Sequence, residues 1–168
     1  MRRSPSRSSR HAGFTLMELI VVLVIVAIAA AMVVPYAFGT SSQAVSAARM
    51  IASDLQYAQN TAITDQQSVS VYFDAQGRNY SLRYNESTYL KHPITREDYI
   101  VDFDTLDGFG SVAIVSVDFG GDSTVTFDVL GAPQPAGGGT VTVRAGHHVY
   151  RLAVAAATGN VTVTQTGS

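Results

Sequence analysis

From Leu19 to Val34 the chain reads LIVVLVIVAIAAAMVV, sixteen apolar residues without a break. Extending the run back to Phe14 gives twenty-one residues, interrupted only by Thr15 and Glu18. As a helix, that stretch is roughly 32 Å long at 1.5 Å per residue, about the thickness of one hydrocarbon core. Pro35 and Gly39 then punctuate the pattern. Proline removes a backbone hydrogen bond and clashes with the preceding turn, so a bend or local melting is expected there. Thr40, Ser41 and Ser42 offer capping side chains for a second helical half. Beyond them Ala44, Ala48, Ile51, Leu55, Ala58 and Ala62 recur at three- and four-residue steps, with Arg49, Asp54, Gln56 and Gln59 between them. The spacing predicts an amphipathic helix to about Ile63, with a face of small residues suited to close packing on a sheet.

After this helix the period changes to two. Eight strands are predicted: Val69–Phe73, Tyr80–Tyr84, Tyr99–Phe103, Val112–Phe119, Thr124–Leu130, Thr140–Arg144, Val149–Val154 and Val161–Thr164. They are rich in Val, Thr, Tyr and Phe. Turn chemistry separates them at Asp74-Ala75-Gln76-Gly77, Gly120-Gly121-Asp122, Ala145-Gly146 and Thr158-Gly159-Asn160. Pro133–Gly139 reads as a flexible hairpin loop, and residues 85–98 as a polar, irregular excursion. The expected class is α+β: a long N-terminal helix, its first half membrane-spanning, its second half packed on an antiparallel sheet. The expected divisions are a basic leader at 1–13, an apolar helix at 14–35, the amphipathic half at 36–66 and a β-rich domain at 67–168.

Charge sharpens the picture. The chain of 168 residues has a net charge of −2, but Arg2, Arg3, Arg7 and Arg10 give residues 1–13 a charge of +4. Residues 14–168 keep seven basic and thirteen acidic groups, a net of −6. An acidic body argues against nucleic acid as a partner. A basic tip before an apolar run predicts a cytoplasmic N-terminus and an exported body. The absence of cysteine excludes disulfides, thiolate metal ligation and a thiol nucleophile.

Two ordinary readings fit the apolar run. One is a secretory signal peptide cleaved at Ala27-Ile28-Ala29 or Ala29-Ala30-Ala31; the other is a plain membrane anchor. Glu18 sets this run apart. A carboxylate in a spanning segment costs on the order of 2–3 kcal/mol at mid-bilayer and less near the end. The first helical turn is its least unfavourable place, because the positive end of the macrodipole faces it. The run holds no Lys, Arg or His to pair with it. A partner must come from another chain or from a new charge made by cleavage just upstream.

Gly13-Phe14-Thr15-Leu16-Met17-Glu18, behind a basic leader and ahead of an apolar helix, resembles the type III signal of prepilins and type II secretion pseudopilins. The resemblance implies cleavage by a prepilin peptidase between Gly13 and Phe14, N-methylation of Phe14, and pairing of Glu18 with the N-terminus of a neighbouring subunit. Pro35 falls where the family often has a helix-kinking proline. The resemblance continues along the chain. Ala52-Ser53-Asp54-Leu55-Gln56, Thr126-Phe127-Asp128 with Gly131-Ala132-Pro133, and Arg151-Leu152-Ala153-Val154 with Thr158-Gly159-Asn160-Val161 are similar to segments of the GspH/FimT group. Two departures stand out: residues 85–107 match no segment of that group, and Gln59 stands where a basic residue is expected.

Other candidate chemistry is thin. Asp102, Asp104 and Asp107 suggest calcium, but the third acid is misplaced for an EF-hand loop and its twelfth position is Ala113. A solvated acidic loop is expected. His147 and His148 are adjacent, so on a strand they point to opposite faces and do not share one ion. No nucleophile–base pair or phosphate loop is found, so the reading is a non-enzyme without cofactors. The resemblance implies a minor pseudopilin, a structural subunit of the type II secretion pseudopilus. It implies residence in the inner membrane with a single pass, a cytoplasmic N-terminus and a periplasmic domain, and other pseudopilins as partners. The alternative is a minor pilin of a type IV pilus, possible in DNA uptake, for which residues 140–168 offer only Arg144 and Arg151.

Overall fold

A computed structural model describes residues 15–33, 39–74, 76 and 78–167. The chain divides into two compact units, Met1–Ala37 and Phe38–Ser168. Within the first lies α1, Leu16–Val33, whose one charged residue is Glu18 in the first turn. Pro35 lies outside the described residues, so the expected kink does too.

The second unit opens with α2, Thr40–Asp65. Its buried stripe is Ala44, Ala47, Ala48, Ile51, Leu55, Ala58 and Ala62, the predicted small-residue face. The expected Thr or Ser cap is not made: Gly39 is the N-cap, without a side-chain cap bond. Thr40 instead packs beside Gly146 in a turn between strands, where a Cβ on the glycine would lie 2.8 Å from the Thr40 hydroxyl. At the other end Gln66 takes a left-handed conformation (φ 52°) and its N–H donates to Ala62 O, closing the last turn.

Among the described residues ten strands follow: β1 Val69–Phe73, β2 Asn79–Tyr84, β3 Thr88–Tyr89, β4 Ile100–Asp102, β5 Val112–Asp118, β6 Thr124–Phe127, β7 Pro133–Gln134, β8 Gly139–Ala145, β9 His148–Val154 and β10 Val161–Gly167. They form two antiparallel sheets where one was expected. The first is ordered β3-β2-β1-β6-β7, with β4 also on β2; the second is β10-β9-β8-β5. Both sheets turn one face inward, so α2 packs on strands of each. Val71, Phe73, Tyr80, Leu82, Val125 and Phe127 enter the core from the first sheet, and Val112, Val141, Val143 and Leu152 from the second. Phe73 stacks on Phe119 at 6.2 Å between ring centres, tying the end of β1 to the segment after β5.

The two-residue strands lie in segments read as loops. β7 falls within Pro133–Gly139, and β3 within the 85–98 excursion. That excursion folds back on the first sheet: Leu90 N–H donates to Leu82 O, and Tyr99 N–H to Leu90 O. Leu90 and Tyr99 are buried as a result.

Candidate functional site

Chemistry concentrates at the start of α1. The Glu18 N–H donates to Thr15 Oγ1 at 3.2 Å, and the Leu19 N–H donates to Thr15 O. Thr15 therefore caps the helix, with Glu18 three residues on, at capping-box spacing. The pattern Thr15-Leu16-Met17-Glu18 ahead of an apolar run carries that signal in the sequence. The carboxylate sits at the positive end of the helix dipole. Around it the helix is apolar on every side, with Leu16 77% and Leu23 59% exposed. A helix apolar all round is at home only inside other apolar matter. Among the described residues no helix is long and apolar enough to cross a membrane; the sequence run extends beyond them. Gly13 and Phe14 also lie outside the described residues.

In the second unit the segments that resemble the GspH/FimT group converge on α2. Gln59, assigned by periodicity to the polar face, is partly buried. Its Nε2 donates to Gly131 O and to Thr158 O, each at 2.7 Å. One amide thus pins the β6–β7 turn and the β9–β10 turn to the helix. The β6–β7 turn is itself fixed by Asp128 Oδ1, which accepts from the Leu130 and Ala132 N–H groups. Gly131 (φ +79°) passes so close to α2 that a Cβ there would meet Ile63 Cδ1 at 2.7 Å. Gly159 (φ +67°) would place one 2.5 Å from Gln59 Nε2. Both glycines are needed for backbone conformation and for approach. A basic side chain was expected at 59; the amide performs the donor role without a charge.

Asp54 was also assigned to the polar face, and it is buried. Its carboxylate accepts from Tyr80 Oη at 2.6 Å and Tyr99 Oη at 3.0 Å. Burial pushes the carboxyl pKa up, and the two hydroxyls and nearby His92 pull it partly back. The Tyr80 and Tyr99 hydroxyls are themselves held above the ordinary tyrosine range, by burial first and by the Asp54 charge second. This network links α2 to β2 and to the far end of the 85–98 excursion, where the His92 ring packs on Tyr99 at 4.8 Å. Nothing in the helical periodicity distinguishes Asp54 from an exposed acid; its partners lie 26 and 45 residues away.

Among the described residues no cluster of His, Asp and Glu is placed to hold a metal ion. Asp102 Oδ1 accepts from the Asp104 N–H at 2.8 Å, and Asp104 pairs with Arg78 Nε at 2.6 Å. Two of the loop's carboxylates, Asp102 and Asp104, are thus taken up by its own turn and by one arginine. His147 lies in the β8–β9 turn and His148 begins β9.

An apolar helix headed by a capped glutamate, followed by a small-residue helix clamped to antiparallel sheets, defines a type IV pilin-like subunit. Residues 8–34 match the prokaryotic N-terminal methylation motif, and residues 47–167 match the type II transport protein GspH family. The chain belongs to the GspH family, the minor pseudopilins of type II secretion. Solved structures share the fold. The minor pseudopilin EpsH from the type 2 secretion system of Vibrio cholerae is 12% identical with a TM-score of 0.53, covering 74% of this chain and 97% of that one. The type IV minor pilin FimU of Pseudomonas aeruginosa is 15% identical with a TM-score of 0.53, covering 74% and 89%. A second EpsH structure is 11% identical with a TM-score of 0.52, covering 76% and 97%. No curated protein matches the chain.

Proposed function

We propose that the chain acts as a non-enzymatic structural subunit of the type II secretion pseudopilus, held in the inner membrane by its apolar N-terminal helix. The basic leader stays in the cytoplasm. A prepilin peptidase cuts between Gly13 and Phe14, and the new Phe14 amino group is methylated. Gly13 suits this cut because it has no side chain to obstruct a protease. The amine left on one subunit pairs with Glu18 of its neighbour, supplying the positive charge that α1 itself lacks. Apolar helices then pack side by side in the fibre core, and the β-rich unit faces the periplasm.

The observation that carries this reading is Glu18 itself: a carboxylate in the first turn of a helix that is capped by Thr15 through the Glu18 N–H and is otherwise apolar on every side. The fold alone fits secretion and pilus subunits equally, since EpsH and FimU align with the same TM-score of 0.53; the family match favours secretion. The test is the mass and N-terminal sequence of the mature protein. A chain beginning with methylated Phe14 is expected, and Gly13→Val should leave an uncut precursor in the membrane. A mature chain beginning near Ala30 or Met32 would mean an ordinary signal peptide and would overturn the reading.

A further inference from the structure

Native sheets guard their exposed edges against pairing with other chains by shortness, bulges, proline or charge. Among the described residues, the first sheet follows that rule: β3 and β7 have two residues each, β4 has three, and β7 begins with Pro133. In the second sheet the edge strand β5 has a register irregularity between Ile114 and Ser116 and ends in Asp118. The other edge strand, β10, differs. It runs seven residues, VTVTQTG, with no charge and no proline, and its irregularity falls only at its end, between Gln165 and Gly167.

The hydrogen-bond phase of β10 follows from its turn. The Ala155 N–H donates to Asn160 O at 2.8 Å, and the register continues as Thr162 opposite Ala153 and Thr164 opposite Arg151. In an antiparallel ladder bonded pairs alternate with unbonded ones. Thr162 and Thr164 therefore bond to β9, and Val161, Val163 and Gln165 aim their N–H and C=O groups outward. The outer face beside them carries Thr162, Thr164 and Arg151, all exposed, with exposed Arg144 roughly one diagonal step away. Strands β8, β9 and β10 contain no acidic residue, in a body whose net charge from residue 14 on is −6. Neither arginine has an ion-pair partner among the described residues.

We propose that β10 is a strand-addition site for an extended, acid-bearing segment of another pseudopilin. The segment pairs with the outward groups of Val161, Val163 and Gln165 and sets a carboxylate against Arg151 and Arg144. This rests on the proposed role as a fibre subunit. Main-chain bonds hold the segment and the arginines select its charge.

The test uses the full chain co-expressed with the other pseudopilins of its system. Because the chain lacks cysteine, Thr164→Cys supplies a single thiol for cross-linking. A cross-link to a different pseudopilin is expected. Arg151→Glu should reduce its yield about tenfold, consistent with loss of a charge pair and gain of a like-charge contact. Val163→Pro blocks an outward N–H and no β9 bond, and should reduce the yield similarly. Circular dichroism separates that from misfolding, and Arg151→Glu, an exposed change, keeps the question open if the proline variant fails to fold. Cross-linking only to a second copy of this chain would overturn the proposal. So would unchanged yields for both variants, or an effect of Arg151→Glu on DNA retention alone. If no variant and no wild-type protein associates with pseudopilins at all, the fibre-subunit reading itself fails.

Discussion

Replacing Gln59 tests whether the segments shared with the GspH group act as one clamp. Its amide nitrogen donates two bonds of 2.7 Å, to Gly131 O and Thr158 O. A net protein hydrogen bond contributes about 1 kcal/mol. Thr158 O lies at the surface and regains water when the donor leaves, so Gln59→Ala should cost about 1.5 kcal/mol rather than the full pair. For a unit of this size that is a fall in Tm of roughly 5 °C. Gln59→Glu should cost more, because a carboxylate then faces two carbonyl oxygens with no donor between them. The loss should shrink as the pH falls and the introduced acid protonates into a donor. Gln59→Arg should retain most of the stability, since a guanidinium offers several donors. The assay is urea unfolding of the four proteins by circular dichroism, with hydrogen exchange at residues 128–132 and 156–160. If Ala and Glu variants unfold alike, or exchange quickens in neither turn, the two bonds do not hold the turns and the clamp is wrong.

Glu18→Val should leave membrane fractionation unchanged or strengthened, because a buried charge is removed. Its co-purification with other pseudopilins should fall severalfold; normal recovery would remove Glu18 from assembly. Asp54→Asn should gain on wild type as pH rises. The folded pKa of Asp54 lies above its ordinary 3.8, so the folded state prefers the protonated form, and stability is lost as pH climbs from about that value through the raised one. A stability difference between the two proteins that stays constant from pH 3 to 7 would show that Asp54 does not titrate as described. Residues 40–168 should show no DNA binding in a gel shift at physiological salt, since Arg144 and Arg151 supply at most two phosphate contacts against an acidic background. Salt-sensitive micromolar binding lost in the Arg144 and Arg151 variants would promote the DNA-uptake reading.

The reach of the sequence can be seen element by element. α2 and the eight longer strands were legible because each turns one face toward the core, fully buried in most and half-buried in β4 and β10, and an inward face writes its period into the chain. β3 and β7 were not, because two residues cannot display a period. The division into two sheets was hidden for a different reason: alternation reports which side chains point inward but not which strand lies beside which. Thr40 looked like a cap, yet its side chain is used against the β8–β9 turn, a contact about a hundred residues away in the chain. Asp54 and Gln59 were misplaced on the polar face because both are polar groups buried by remote partners. Glu18 stood out in the sequence because its signal is local: a charge in an apolar run needs an explanation from sequence alone.

That contrast separates what the shared segments do from where partner choice resides. Asp128, Gly131, Thr158 and Gly159 are spent inside the clamp on α2, and Asp54 is spent on two tyrosines. Groups that face inward hold the fold and have little left to offer another molecule. In the proposed fibre Glu18 acts through α1, whose apolar surface is uniform and offers no pattern for choosing one neighbour over another. In that proposal discrimination between partners falls to surfaces outside both: the 85–107 segment, which matches no shared segment, and the uncharged β10 edge beside Arg151 of β9 and Arg144 of β8. Exchanging only the exposed residues of 85–98 between related subunits should change which partners are recovered and leave the stability of the α2 clamp intact.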